Sequence, residues 1–348
     1  MKKSQVVKLI TFPILLTGCI LALNFGLFSQ ARDDLTSYGQ FYKEEEKCLD
    51  VVLIGNSTLR EGYVPTRMWH NYGITSRGLS SSPTHPEVIK VAISEVMRFQ
   101  EPKVVFIDLN GLTYQNKSDA EFFIKQYYKA LPEGEFKNEL EQKYDYLKHI
   151  DEEYELFHNH NNFRQQQYWE SIVYHEQFIT KGYYPNKIVH HVKPVTPDEN
   201  TILDLPKDGQ EYLDEIKAEC LKYSDKTTFI FGKMPRYNAN NSDLNSVYMF
   251  RNIANQIEGT SIKFMDFSTK ASEIGLNKDS DFKDDEHLNH LGANKFTDYF
   301  ANYLLNEIHL EPREKKQSVI DNFNQAYDDT KKYLDDIETY LRKKTGQL

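Results

Sequence analysis

Five short runs of β-branched and aromatic residues alternate along the chain with longer segments of helical periodicity. The runs are Asp50–Gly55, Ile74–Leu79, Lys103–Leu109, Thr227–Gly232 and Ser261–Phe267. Apolar residues recur every three to four positions in segments that precede or follow these runs: Pro86–Phe99, Gln210–Tyr223, Asn245–Ile257 and Gly292–Ile308. Strands that alternate with helices are typical of a parallel sheet covered on both faces. The pattern therefore predicts a three-layer α/β/α fold.

Residues 113–205 interrupt this alternation with a stretch rich in aromatic residues, Asn and His. An insertion of this length between two strands often forms a lid or a substrate wall. Its aromatic residues, among them Tyr127, Tyr128, Trp169 and Tyr183, either pack into a small core of the insertion or stack on sugar rings. Packing is the simpler interpretation, and the sequence leaves both open.

The last 38 residues, 311–348, change to a charged helical pattern with eight acidic and eight basic residues. Apolar positions alternate by threes and fours, which is a heptad stripe over about three repeats. The stripe consists of Ile320, Phe323, Tyr327, Thr330, Leu334, Ile337 and Leu341. It predicts an amphipathic helix that packs on its own domain or forms a coiled-coil contact with a partner.

Residues 1–30 predict a membrane anchor. From Leu9 to Phe28 there are 20 residues without a charge, preceded by three lysines. At about 1.5 Å per residue, this is enough to cross ~30 Å of hydrocarbon. The positive-inside rule then places the N-terminus in the cytoplasm, with residues 31–310 as an extracytoplasmic α/β domain. Alternatively, Cys19 ends a sequence like a lipoprotein box and carries a lipid, which also places the folded body on the outer membrane face.

Composition narrows the function classes. Fifty-two acidic and 42 basic residues give a net charge of −10, which repels phosphate backbones and argues against a nucleic-acid partner. The three cysteines lack CxxC spacing, and neither His158/His160 nor His190/His191 has the spacing of a zinc site. No GxxxxGK[ST] or GxGxxG motif is present. We therefore expect no metal and no cofactor.

Two short motifs carry the candidate chemistry. Gly55-Asn56-Ser57-Thr58 follows the first strand directly, and ligands of doubly wound folds bind at the carboxyl ends of strands. Asp284 precedes His287 by three residues, just before the last helix of the α/β domain. At that spacing a carboxylate can hold Nδ1 of the imidazole while Nε2 acts on a hydroxyl. Taken singly, each motif also has an ordinary structural interpretation. The Ser-Thr turn is typical of a helix N-cap, and the segment around Asp284 is typical of a solvated acidic turn.

Together the two motifs resemble those of the SGNH (GDSL-type) hydrolases and acyltransferases, over residues 50–110 and 227–305. The segments GNST, YGITS, KVVFIDL, FGKMP and DDEHLNHLGANKFTDY are most similar to membrane-anchored bacterial members that modify cell-envelope polymers, such as the teichoic-acid D-alanine transfer proteins and alginate-type O-acetyltransferases. The resemblance implies a flavodoxin-like sheet. It also implies Ser57 as nucleophile, His287 as general base and acid, and Asp284 as the orienting carboxylate.

The resemblance also implies donors for an oxyanion hole. Gly78 and Ser80 stand near the position of the family's second block, and Asn110 is the amide nearest to the place of its third block, whose Gly-x-Asn-Asp is absent. The implied function is that of an extracytoplasmic serine esterase or O-acyltransferase acting on a cell-envelope polysaccharide or teichoic-acid-like polymer. A multi-spanning membrane-bound O-acyltransferase is the implied partner. The second and third blocks differ from the family's pattern, which supports an alternative function. The protein would then be a non-catalytic anchored protein that binds glycan or scaffolds a synthesis complex.

Overall fold

Five parallel strands form the central sheet of the protein, in the order β2-β1-β3-β4-β5. The computed structural model describes residues 3–22, 33–81, 84–152, 180–237 and 240–347. The strands are β1 (Val51–Gly55), β2 (Ser76–Ser80), β3 (Val104–Asp108), β4 (Thr228–Lys233) and β5 (Lys263–Asp266). The predicted α/β class is confirmed, and each of the five predicted strands is present with boundaries shifted by at most two residues.

Helices connect and flank these strands, and the four helices predicted before or after strands are confirmed as α5, α8, α9 and α11. The helices are α1 (Lys3–Ala22), α2 (Asp33–Phe41), α3 (Ser57–Gly62), α4 (Pro65–Tyr72), α5 (Pro86–Phe99), α6 (Ala120–Ala130), α7 (Glu135–Lys143), α8 (Lys207–Leu221), α9 (Asn241–Ile257), α10 (Ala271–Ile274), α11 (His290–Asn306) and α12 (Gln317–Lys344). Short 3-10 turns occur at Asn110–Thr113, Lys117–Asp119, Asp145–Glu152 and Phe267–Thr269.

Both faces of the sheet are buried, because alternate residues of each strand enter different cores. In β1, Val52 and Ile54 pack into the core that contains residues of α2, α5, α6 and α8. Val51 and Leu53 pack into the opposite core with residues of α4 and α11. The strands are therefore apolar on both sides, as helices on the two faces require.

The strand order reverses direction at β1. From β1 the chain moves outward to β2, and it then returns past β1 to β3 and continues to β4 and β5. At such a reversal the segments that follow the two central strands diverge and leave a crevice at the carboxyl edge of the sheet. The segments that leave β1 and β3 at this edge begin at Asn56 and Leu109.

The outer edge of β2 is covered by the end of the insertion and by the N-terminal part of the body. The N–H of Gly78 donates to the carbonyl of Lys181 at 3.3 Å, and the carbonyl of Ser80 accepts a hydrogen bond from Ser37 Oγ at 2.7 Å. Gly182 has a φ of 94°, and a Cβ added there would lie 2.5 Å from the carbonyl oxygen of Gly78. Only glycine fits this close approach without strain.

The aromatic residues of the insertion that the structure describes pack inside the protein. Tyr127 and Tyr128 are buried in the core with α5, and Tyr183 is buried beside α11 and α12. Trp169 lies outside the described residues. For Tyr127, Tyr128 and Tyr183, packing is therefore the observed role.

Helix α12 packs along α4 and α11 of the same chain. Trp69 of α4 donates from Nε1 to Asn324 Oδ1 at 2.9 Å, and His70 stacks on Tyr327 with ring centres 3.8 Å apart. Seven positions of α12 are buried: Val319, Phe323, Ala326, Thr330, Leu334, Ile337 and Leu341. This stripe differs from the predicted one in that Val319 and Ala326 replace Ile320 and Tyr327. Because the same chain covers it, the stripe is not a free coiled-coil face in this conformation.

Helix α1 contains residues 9–22 of the predicted membrane span, while residues 23–28 of that span lie outside the described residues. Residues 8–22 are exposed. In the part of the chain that the structure describes, no helix combines the length and the apolar character needed to cross a membrane. The anchor in residues 1–30 stays a prediction.

Candidate active site

Ser57 is the second residue after β1 and the first residue of α3. All residues of β1 are buried, so packing of the strand fixes the position of the backbone that leads to Ser57. Asn56 caps the helix, because its Oδ1 accepts hydrogen bonds from N–H and Oγ1 of Thr58 at 3.0 and 2.5 Å. At the first helical position the backbone N–H of Ser57 has no acceptor within the helix. A hydroxyl and an N–H donor of one residue are thus both at the carboxyl edge of the sheet.

His287 lies in the segment between α10 and α11 and reaches Ser57 across the fold. Its Nε2 is 2.8 Å from Oγ of Ser57. Its Nδ1 is 2.9 and 3.0 Å from the two carboxylate oxygens of Asp284. The structure thus brings Ser57, His287 and Asp284 together in one chain of hydrogen bonds.

The backbone also orients Asp284. Its Oδ1 accepts hydrogen bonds from the N–H groups of Glu286 and His287, both at 2.8 Å. Partial burial acts to raise the pKa of Asp284, but the hydrogen bond and charge of His287 and the two N–H groups outweigh it and hold this pKa well below its ordinary value. An ionised Asp284 accepts the Nδ1 proton of His287. The Nε2 atom is then unprotonated and can accept the hydroxyl proton of Ser57.

The C-terminal part of the insertion, at Asn186 and Ile188, accepts hydrogen bonds from the segment that carries His287. The N–H of His290 donates to the carbonyl of Asn186 at 2.9 Å. Asn289 also donates from Nδ2 to the carbonyl of Ile188 at 3.1 Å. The position of the imidazole therefore depends on contacts outside its own loop.

A cavity of about 380 Å³ opens beside Ser57. Its walls come from Asn56–Thr58 after β1, from Asn110, Thr113 and Tyr114 after β3, and from the first turns of α9. Arg236 and Glu286 complete the lining. Most of these side chains are hydroxyls, amides or charged groups, so the cavity suits a polar ligand that offers many hydrogen-bonding groups.

Asn110 lines the same cavity as Ser57 and is the predicted oxyanion donor that the structure brings to the site. Its backbone N–H donates to Asp108 Oδ1 at 2.9 Å. Its side-chain oxygen accepts a hydrogen bond from Ser246 Oγ at 3.2 Å. The Nδ2 group is the part of the amide that remains to donate into the cavity.

Gly78 and Ser80, the other predicted donors, do not belong to this site. Both lie in β2, which continues to Ser80. Alternate residues of a strand direct their N–H and C=O groups to the same side. The bonds from Gly78 to Lys181 and from Ser37 to Ser80 show that this side is the outer edge of β2, away from β1. The expectation for Gly78 and Ser80 is therefore corrected: their amide groups face the covered edge and not Ser57.

Three charged residues near the cavity are not among the site residues predicted from the sequence. Asp108 ends β3, Lys233 ends β4, and Arg236 follows three residues later. Burial raises the pKa of Asp108, against the hydrogen bonds that it accepts. Arg236 forms an ion pair with Asp243 of α9 and lies 3.5 Å from Glu286. The signal in the sequence is their position at or shortly after the carboxyl ends of the strand runs, at the edge where Ser57 also lies.

His190 and His191, which are adjacent in the sequence, each pair with a carboxylate. His190 Nε2 lies 2.9 Å from Asp285, so the aspartate adjacent to Asp284 bonds away from His287. His191 likewise pairs with Asp279. Within residues 3–22, 33–81, 84–152, 180–237 and 240–347, no three His, Cys, Asp or Glu side chains are grouped as metal ligands. His158 and His160 lie outside the described residues.

Comparison of the sequence with protein-family models and with curated proteins gives no match. The function must therefore be inferred from the site and from the motifs themselves. A serine hydroxyl bonded to an imidazole, which is bonded in turn to an ionised carboxylate, is the arrangement that activates serine for attack on an acyl group.

Proposed function

We propose that this protein is a serine esterase or O-acyltransferase of the SGNH type that acts on ester groups of a cell-envelope polysaccharide or a teichoic-acid-like polymer. The observation that carries the proposal is the chain Ser57–His287–Asp284, with a Ser57 Oγ to His287 Nε2 distance of 2.8 Å. Chain topology supports it too. The strand order 2-1-3-4-5 is a flavodoxin-like order, and its ligand position is the crevice beside β1 and β3.

In the first step Oγ of Ser57 attacks the carbonyl carbon of an ester while Nε2 of His287 takes its proton. A bond forms between Oγ and the carbonyl carbon, and the electron pair of the carbonyl moves to its oxygen. The N–H of Ser57 and Nδ2 of Asn110 are the proposed donors to this oxyanion. Asp284 stabilises the imidazolium that forms.

In the second step the tetrahedral intermediate collapses. The bond to the leaving alkoxide breaks, His287 gives it the proton, and an acyl group remains on Ser57. A water molecule or a sugar hydroxyl then repeats the sequence in reverse and takes the acyl group from Ser57. Water makes the protein an esterase, and a sugar hydroxyl makes it an acyltransferase.

The polar cavity supports a glycopolymer as the ligand, because a polyol offers hydroxyls to amide, hydroxyl and charged side chains such as Asn245, Thr113 and Arg236. The predicted anchor in residues 1–30 supports a location at the outer face of the cell membrane. A transferase at that location needs an activated acyl donor from the cytoplasm. We therefore include a multi-spanning membrane-bound O-acyltransferase as the proposed partner.

Labelling with a fluorophosphonate tests this proposal without knowledge of the substrate. The full-length protein in detergent is treated with the probe alongside Ser57→Ala, His287→Ala and the control Ser224→Ala. Ser224 follows α8 and bonds to the carbonyl of Leu221, at the opposite edge of the sheet from Ser57. We expect labelling of the wild type and of Ser224→Ala, and its loss in the other two variants.

Labelling that persists in Ser57→Ala would contradict the assignment of the nucleophile. A folded wild-type protein that takes no label would favour the alternative, a non-catalytic anchored protein that binds glycan. If labelling follows expectation, the amount of ester on the cell-envelope polymer separates the two activities. Cells with Ser57→Ala carry less ester if the protein is a transferase and more if it is an esterase.

A further inference from the structure

A buried lysine lies behind the cavity. Lys233 is the last residue of β4 and is 1% exposed. Its Nζ donates a hydrogen bond to Oγ of Ser246 at 2.9 Å and lies 5.4 Å from the centre of the Phe250 ring. An ammonium group is costly to bury, so its position between the sheet and the cavity needs a reason.

Ser246 connects this lysine to Asn110. Ser246 lies on α9 and lines the cavity, and its Oγ donates to Oδ1 of Asn110 at 3.2 Å. A lysine ammonium group has donors and no acceptor. The hydroxyl of Ser246 therefore accepts from Lys233 and directs its own proton to Asn110, which gives the chain of hydrogen bonds one direction.

Asn110 is thereby fixed at two atoms. Its N–H is held by Asp108 and its Oδ1 by Ser246. With the amide oxygen held in this way, Nδ2 is the atom left to donate into the cavity that Asn110 shares with Ser57. The amide is oriented before any ligand binds, which is a requirement for efficient stabilisation of developing charge.

We propose that Lys233 is a positioning residue that acts through Ser246 to orient and polarise the Asn110 amide, so that Nδ2 donates to the oxyanion formed at Ser57. This inference rests on the acyl-transfer function proposed above. Hydrogen bonds in series polarise one another, so a positive charge behind Ser246 strengthens the donor at Asn110. The gain is largest in the transition state, where the negative charge develops.

Charged groups on four elements face Lys233. They are Arg236 after β4, Asp108 at the end of β3, Asp266 at the end of β5 and Asp243 on α9. Burial and the charge of Arg236 lower the pKa of Lys233 to about 8, against the three carboxylates. Lys233 is therefore charged at neutral pH and loses its charge in mildly alkaline solution. The proposed reaction should slow over the same range.

The test measures hydrolysis of p-nitrophenyl acetate by the full-length protein between about pH 6 and about pH 10. We expect Ser246→Ala to lower kcat on the order of 10-fold with KM unchanged, because the amide loses its orientation but not its donor. Ser246→Thr, which keeps the hydroxyl, should restore most of the rate. Lys233→Met should lower kcat and remove the alkaline decline.

Two variants at the opposite edge of the sheet serve as controls. Ser224→Ala and Lys226→Met change the same residue types in the turn before β4. We expect both to keep the kcat and the pH profile of the wild type. Thermal unfolding midpoints show which variants are folded, and the Ser246 pair carries the test alone if Lys233→Met does not fold.

The outcomes separate this inference from the function on which it rests. An active wild type whose kcat is unchanged in Ser246→Ala, or whose alkaline decline persists in folded Lys233→Met, overturns the positioning role and leaves the acyl-transfer proposal in place. A wild type that neither takes the fluorophosphonate label at Ser57 nor hydrolyses the ester overturns both.

Discussion

The carboxylate of Glu61 accepts two hydrogen bonds from Nζ of Lys283, at 2.9 and 2.8 Å. Glu61 lies one turn after Ser57 on α3, and Lys283 immediately precedes Asp284. The pair therefore ties the helix that carries the proposed nucleophile to the loop that carries the acid and base. The side chain of Glu61 is 4% exposed, so it depends on this partner.

We expect Lys283→Met to lower the free energy of unfolding by about 1–3 kcal/mol, because it leaves a buried carboxylate with fewer partners. It should also slow fluorophosphonate labelling, since the imidazole is no longer held to α3. Urea unfolding measures the first effect. The control is Lys331→Met, which removes an exposed ion pair with Asp335 on α12 and should leave the free energy of unfolding nearly unchanged. Equal losses in the two variants would contradict the role of the Glu61–Lys283 pair.

Two adjacent aspartates offer a matched test of the triad. Asp284→Asn keeps the shape of the side chain but no longer favours the proton on Nδ1 of His287, so we expect kcat to fall by about 10³–10⁴-fold. Asp285→Asn changes the same chemistry one residue later, where the carboxylate pairs with His190. The Asp285 variant should keep most of the activity. Steady-state hydrolysis of p-nitrophenyl acetate measures both, and a larger loss in Asp285→Asn would refute the assignment of Asp284.

His290 should make the protein less stable in mild acid. Burial and the charge of Arg67 lower the pKa of His290 to about 4, with opposing effects from Glu338 and Asp335. Between its ordinary pKa of 6.5 and about 4, the unfolded chain binds the proton and the folded protein does not. Stability is therefore lost as the pH falls through this window, by about 2 kcal/mol at pH 5.

The measurement is urea unfolding of the wild type and of His290→Gln at neutral pH and at about pH 5. Glutamine can keep a hydrogen bond to the hydroxyl of Tyr183, which lies 2.7 Å from Nδ1 of His290. We expect the loss of stability on acidification to be about 2 kcal/mol smaller in the variant. An equal loss in both proteins would mean that His290 does not contribute to the acid sensitivity.

Two adjacent residues near the end of α12, Leu341 and Tyr340, test how much the packing of this helix contributes to the free energy of unfolding. Leu341 is 0% exposed and packs with Leu291 and Ile337, whereas Tyr340 is 47% exposed. We expect Leu341→Ala to lower the free energy of unfolding by about 2–5 kcal/mol, and Tyr340→Ala to change it by less than about 1 kcal/mol. A small effect of Leu341→Ala in urea unfolding would mean that α12 is only loosely attached. If Leu341→Ala has the expected effect, deletion of residues 311–348 should also destabilise the α/β domain. A loss of function after that deletion would then not demonstrate a scaffold role.

Much of the framework could be predicted because its signals are local. β1 and β3 are buried on both faces, so VVLI and VVFI are continuous apolar runs, and the helix predicted at Pro86–Phe99 has the boundaries that the structure shows. The pairing of Asp284 with His287 follows from their spacing of three residues. The expectation that His287 contacts Ser57 rests on the resemblance to the SGNH hydrolases, because the two residues are 230 positions apart and His287 does not end a strand.

The parts that were missed depend on contacts between distant segments. The family's second block suggests a loop donor near Gly78 and Ser80, but β2 pairs with β1 as far as Ser80, and the chain at Lys181 binds its other edge. Lys233 and Ser246 come together only when β4 and α9 pack. Lys233 lies within the segment FGKMP, but that segment assigns it no role, and Ser246 belongs to none of the quoted segments. Sequence motifs indicate the residues that contact the substrate more readily than the residues that position them through contacts formed in the folded protein.

The covered edge of β2 has a consequence for self-association. An exposed edge strand offers unpaired N–H and C=O groups to a strand of another molecule, which is a route to aggregation. At β2 the N–H of Gly78 and the C=O of Ser80 are already bonded to Lys181 and Ser37, and the backbone at Gly182 lies close against Gly78. At the other edge β5 is only four residues long and begins with a lysine. Both edges of the sheet therefore resist the addition of a strand, which favours a protein that stays dispersed when many copies are crowded together.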